Sequence, residues 1–114
     1  MTLAGMIIGH MVGDYVLQND WMAANKTKAT WIAAIHAGLW TAAVCIFGLL
    51  DLNAHPWAAV WLFGTHFAID RWRLAAKSMD YTGQSGFKTA MAPWSMIAVD
   101  NTWHLITIWA AWIY

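Results

Sequence analysis

Four long apolar runs alternate with short polar stretches along the chain, and each run is broken by only a few polar residues at helical spacing. The runs span about residues 3–24, 30–50, 56–77 and 90–113. Each has roughly the twenty residues that a membrane-spanning helix needs. The second is the most uniform, interrupted only by His36. In the first, Gly5, Gly9 and Gly13 form a small-residue stripe of the kind that lets a neighbouring helix approach closely. Asn25-Lys26-Thr27-Lys28 marks a polar exit, and Asp51 to His55 a short turn, with Pro56 suited to the first turn of the helix that follows. Asp80 to Lys88, with Gly83 and Gly86, reads as a loop. The pattern predicts an all-α single domain over residues 1–114, an integral membrane four-helix bundle in up-down order.

The polar residues inside the runs repeat one signature. His10, Asp14 and Gln18 are four apart, which stacks them on one helix face. His66 and Asp70 repeat the His-x-x-x-Asp spacing, and Asp100 and His104 reverse it. Ionisable groups in such helices are costly and mark function.

Composition agrees with lipid as the outer solvent. Apolar residues make up 61% of the chain and charged ones 11%, too few to coat a small soluble domain. All six acids are Asp, and three lie deep in apolar runs. The zero net charge gives no field that would favour nucleic acid. The single Cys45 rules out an internal disulfide, and no secretory signal is expected, because Met1-Thr2-Leu3-Ala4 carries no basic residue.

Lys26 and Lys28 lie in the first loop, and Arg71, Arg73, Lys77 and Lys88 flank the third. The positive-inside rule then puts both basic loops in the cytoplasm of a bacterial inner membrane and both termini on the other side. Trp21, Trp31, Trp72 and Trp94 would line one interface, and Trp57, Trp109 and Trp112 the other. Trp40 and Trp103 read as packing residues. Counting from the cytoplasmic ends at about 1.5 Å per residue, His36 and Asp70 lie about 10 Å deep, Asp14, His66 and Asp100 about 15 Å, and His10 and His104 about 20 Å. Seven ionisable groups from four helices thus share one slab.

Facing helices with inward histidines and carboxylates commonly build metal sites. His10, Asp14, His36, His66, Asp70, Asp100 and His104 are therefore the expected ligands of a divalent metal (zinc, manganese or iron), with enough donors for two ions and a bridging Asp. Some of the aspartates would instead orient a ligating histidine. Asp14, Asp100 and His104 are the expected catalytic groups, and Gln18 and Arg71 the expected substrate contacts. Haem is the rival cofactor, but it requires no carboxylate beside each histidine. No serine has a base nearby in sequence, so a hydrolytic water would be activated by metal with a spare Asp or His as base.

His10-x-x-x-Asp14-Tyr15-x-Leu17-Gln18 with Trp21 and Lys26, then His36, Thr65-His66-Phe67-x-Ile69-Asp70 and Asp100-x-x-x-His104 resembles a family of small polytopic inner-membrane proteins of bacteria and phages, filed as a domain of unknown function. The resemblance runs from Leu3 to about Ile108, with Asn101 where the family pattern has Gln. It implies an inner-membrane location and no established reaction. The leading expectation is a metal-dependent hydrolase acting on a lipid-linked or phosphate-bearing substrate. The alternatives are a divalent-ion or proton transporter using the same residues, and a non-enzymatic membrane subunit or phage membrane protein. The lipid bilayer is the expected partner, with oligomers permitted.

Overall fold

The computed structural model describes residues 2–113, and among them every regular element is helical. Helix α1 (Leu3–Met11) starts at Thr2, whose hydroxyl accepts from the Gly5 amide at 3.1 Å, and continues into a π-helical turn (Val12–Val16). Then follow α2 (Asp20–Asn25), α3 (Thr30–Phe47), α4 (Pro56–Arg71), α5 (Leu74–Tyr81), α6 (Ser85–Ala90) and α7 (Trp94–Ile113).

Helix α1 packs on α3, α3 on α4, α4 on α7, and α7 closes the ring onto α1. Contacts fix the directions. Gly5, Gly9 and Gly13 meet Phe47, Ala43 to Val44 and Trp40 in turn, so α1 and α3 run antiparallel. Arg71 reaches back to Thr27 and Thr30, which does the same for α3 and α4. The Trp61 indole donates to the Thr107 carbonyl at 3.0 Å, and the His66 and His104 rings meet, which does so for α4 and α7.

The glycine stripe sets the closeness of this ring. A Cβ on Gly9 would lie 2.5 Å from the Ala43 carbonyl oxygen and 2.6 Å from Val44 Cα, and one on Gly5 would run into the Phe47 carbonyl. These obstacles are backbone atoms and cannot rotate away. At the far end from the basic loops, Met6, Trp40, Val44, Leu62, Ile108 and Ala111 fill a dry core. Toward the basic loops, the interior turns polar: His10, Asp14, His36, His66, Asp70 and His104 are all buried. The outer surface is the reverse, with Ile8, Val16, Ile46, Val60 and Ile106 turned outward beside most of the tryptophans. Helix α3 is long and apolar enough to cross a membrane. The run Leu3–Val16 is apolar but shorter.

Several boundaries differ from the expected ones. The first run does not continue to residue 24 as one helix. Asn19 is extended and its side chain accepts from the Met22 amide at 2.7 Å, so a new N-cap competes with continuation. The second helix stops at Phe47, where Leu49 turns left-handed. The third breaks at Trp72, because Arg73 is left-handed (φ 53°), and the redirected α5 packs Ala75 and Met79 inward. The expected loop from Asp80 to Lys88 instead takes in the end of α5 and most of α6, joined by an Asp80–Lys88 ion pair. The fourth helix begins at Trp94 rather than near residue 90, since Pro93 has no amide hydrogen to continue α6.

The Gly9→Leu protein should lose folded stability by at least about 2 kcal/mol through backbone overlap. Gly64→Ala, whose added Cβ meets nothing within 4 Å, should be neutral or slightly stabilising. Thermal unfolding in neutral detergent compares the two.

Candidate metal centre

The site forms inside the ring, where the first helix, α3, α4 and α7 turn polar side chains toward one another. The first helix supplies Asp14 from its π-helical turn, a distortion often found at functional sites. His36 comes from α3, and His66 and Asp70 from successive turns of α4.

These four residues present one donor atom each, all within 4.8 Å of one another. His36 Nε2 is 3.0 Å from Asp14 Oδ1 and 3.3 Å from Asp70 Oδ2. His66 Nε2 is 2.9 Å from Asp70 Oδ2 and 3.5 Å from Asp14 Oδ1, and the two Nε2 atoms are 2.9 Å apart. Two imidazole Nε2 atoms carry at most one proton each, and carboxylates only accept. Two protons cannot satisfy five such approaches. A single cation among the four atoms can. Bonds of about 2.0–2.1 Å in a tetrahedral zinc site imply donor separations of about 3.3–3.4 Å, close to those observed. The residues therefore fit a divalent metal.

A second set comprises Asp14, Asp100 and His104, again within 4.8 Å. His104 Nδ1 lies 3.2 Å from Asp100 Oδ2, and neither His104 nitrogen has a hydrogen-bond partner among the described residues. Asp14 is common to both sets. Four donors close a tetrahedron, whereas three leave a position open, the difference between structural and catalytic metal sites.

His10 stands outside both sets. Its Nδ1 accepts from the Trp40 indole at 3.0 Å, since an indole only donates. The proton is thereby placed on Nε2, which donates to Asn101 Oδ1 at 2.9 Å. Asn101 in turn donates to the Tyr15 hydroxyl at 2.8 Å. Trp40 also stacks on the His66 ring, with centroids 4.1 Å apart. It is thus the wall of the centre as well as core packing.

A cleft of about 600 Å³ opens over the centre at the end carrying the basic loops. Asp14, Asp70, Asp100, Tyr15, Gln18, Lys26 and Arg73 contribute its polar surface, and Ile69, Met96 and Ile97 its apolar wall. Gln18 lines the cleft, its Nε2 donating to the Asp14 carbonyl at 3.2 Å. Arg71 does not line it. Its guanidinium is held by the Thr27 carbonyl and the Thr30 hydroxyl at 3.1 and 3.2 Å, tying α4 to the start of α3. Arg73 lines the cleft instead.

Lys26, read from sequence as a topology signal, reaches inward to Asp70 Oδ2 at 3.2 Å. Burial disfavours its ammonium form, but Asp70 foremost, then Asp14 and Asp100, outweigh this and hold its pKa above the ordinary lysine value. Lys26, Tyr15 and Asn101 all fall within or beside the quoted sequence motifs, which was the available signal for them.

A ring of antiparallel helices enclosing histidines and carboxylates defines an all-α protein with a buried candidate metal centre. The chain belongs to the protein family of unknown function DUF3307, whose family model matches residues 2–114. No curated protein and no solved structure matches it.

His66→Ala and Asp14→Asn should weaken divalent-ion binding by more than the roughly 10–100-fold that follows loss of a ligand's hydrogen-bond partner. His10→Gln should stay within that range. Zinc titration by competition with a chromophoric chelator measures all three.

Proposed function

We propose that this protein is a metal-dependent enzyme of the bacterial inner membrane, a hydrolase acting on a lipid-linked or phosphate-bearing substrate. The observation that carries the reading is the pair of donor sets joined at Asp14 beneath a cleft with lysine and arginine at its mouth. Divalent metal bound there would supply Lewis acidity toward a phosphoryl or carbonyl oxygen. The closed set of Asp14, His36, His66 and Asp70 suits a firmly held ion. The open set of Asp14, Asp100 and His104 suits the reacting position, because Asp100 is partly exposed to the cleft. Nitrogen and oxygen donors without thiolate favour zinc, manganese or ferrous iron. An Asp or His that is not ligating would take the proton from the attacking water.

A four-span arrangement of the long helices in the bilayer is supported by the inverted surface. Apolar side chains face outward, and charged and imidazole groups face inward. The exposed tryptophans Trp21, Trp31, Trp72 and Trp94 accompany the basic loops, as an interfacial belt would. A transporter built on the same residues is disfavoured by the dry core of Met6, Leu62 and Ile108, which stops the polar interior short of the opposite end.

Elemental analysis of detergent-purified protein tests the reading, together with hydrolysis assays on short-chain phospholipids. Stoichiometric metal is expected, with activity lost on chelation and restored by zinc or manganese. Metal-free, folded protein whose His66→Ala variant behaves identically would overturn it. Metal-dependent ion flux in liposomes that Asp14→Asn abolishes, without hydrolysis, would favour transport.

A further inference from the structure

The cleft carries a charge imbalance that bears on what enters it and when. Asp14, Asp70 and Asp100 line it against Lys26 and Arg73, so the lining is net negative. An anion would be repelled from it. One divalent ion reverses the sign, and a second makes the cleft strongly positive. Lys26 is also engaged: its ammonium sits on Asp70 Oδ2, the oxygen that faces both His36 and His66 in the closed donor set. A metal ion in that set and the Lys26 ammonium therefore compete for one oxygen.

We propose that Lys26 is the anion-recognising group of this cleft, released from Asp70 when a divalent ion occupies the closed set, so that a phosphate-headed amphiphile binds only after metal. The proposal rests on the metal-enzyme reading and adds to it a substrate class and an order of binding. Lys26 is half-buried at the cleft wall, and its short swing from Asp70 keeps it within the cleft. Arg73, held in left-handed backbone, supplies a second cation at the mouth. Gln18 and Tyr15 complete the polar part. The Tyr15 oxygen accepts from Asn101, which leaves its own proton free for an anionic oxygen. The apolar wall of Ile69, Met96 and Ile97 gives an acyl or isoprenoid chain a surface continuous with the apolar exterior. Phosphate is the head group this set of donors recognises best, since it offers several acceptor oxygens to lysine, arginine, amide and phenol together.

The test uses the full chain in neutral detergent, metal-stripped or loaded with zinc, and measures binding of dioctanoyl phosphatidate, inorganic phosphate and dioctanoylglycerol by calorimetry. Phosphatidate should bind the zinc-loaded protein at least about tenfold more tightly than the stripped protein. Lys26→Met should lower that affinity by roughly tenfold or more, Lys26→Arg should retain most of it, and Lys26→Met should bind zinc as tightly as the wild type or more tightly. Arg73→Gln, on the exposed side, should give a smaller loss and guards against a folding defect at Lys26. Phosphatidate binding without phosphate binding identifies a lipid ligand, and equal binding of both identifies the free anion. Equal phosphatidate affinity with and without zinc, equal binding of dioctanoylglycerol, or an unchanged Lys26→Met overturns the proposal while leaving the metal centre standing. A protein that binds no zinc overturns both.

Discussion

A carboxylate enclosed by imidazoles at the meeting point of four helices is the interaction on which this structure depends. Asp14 is buried, yet its Oδ1 lies 3.0 Å from His36 Nε2 and 3.5 Å from His66 Nε2. A buried charge without compensation is among the costliest features a fold can hold. Every helix of the ring contributes a group to Asp14 or to a neighbour of Asp14. The ring closes around the charge, and the charge in turn requires the ring to close. The glycine stripe of the first helix belongs to the same constraint, because only glycine lets α1 lie close enough for Asp14 to reach His36 on α3.

The fold divides into an apolar half and a polar half along its 44 Å length. One half is an apolar plug of Met6, Val44, Leu62, Ile108 and Ala111, with the Trp61–Thr107 hydrogen bond at its side. The other half is a polar chamber that opens toward the basic loops through the cleft. Trp40 joins them: one face of its indole stacks on His66, and its N–H orients His10. Apolar packing thus dominates one end and buried polar donors the other, which is how a small helical scaffold can hold several donors in a fixed array.

Much of this was legible in the sequence, because helical periodicity and charge rarity are strong signals in an apolar chain. The four-residue spacing of His and Asp put them on inward faces, and counting depth brought the groups from four helices to one level, where the structure gathers them. The glycine stripe likewise told which face of α1 met a neighbour. What the sequence did not give was local. The π-helical turn at Val12–Val16 and the left-handed Arg73 come from backbone geometry that packing decides. The division of His10 from the other histidines depends on Trp40 and Asn101, residues far apart in the chain. Lys26 turns inward to Asp70, and Arg71 ties α4 to the start of α3, for a similar reason. Long basic side chains near a helix end can turn outward to a headgroup or inward to a carboxylate, and only three-dimensional neighbours choose.

The central claim is that His36 and His66 present Nε2 atoms to one cation together with two aspartate oxygens. X-ray absorption spectroscopy of the metal-loaded, detergent-purified protein tests it most directly. The account predicts a four-coordinate spectrum with donors at about 2.0–2.1 Å and outer-shell scattering from two imidazoles, lost when both histidines are replaced. A six-coordinate, all-oxygen spectrum without imidazole scattering, unchanged by that replacement, would contradict it.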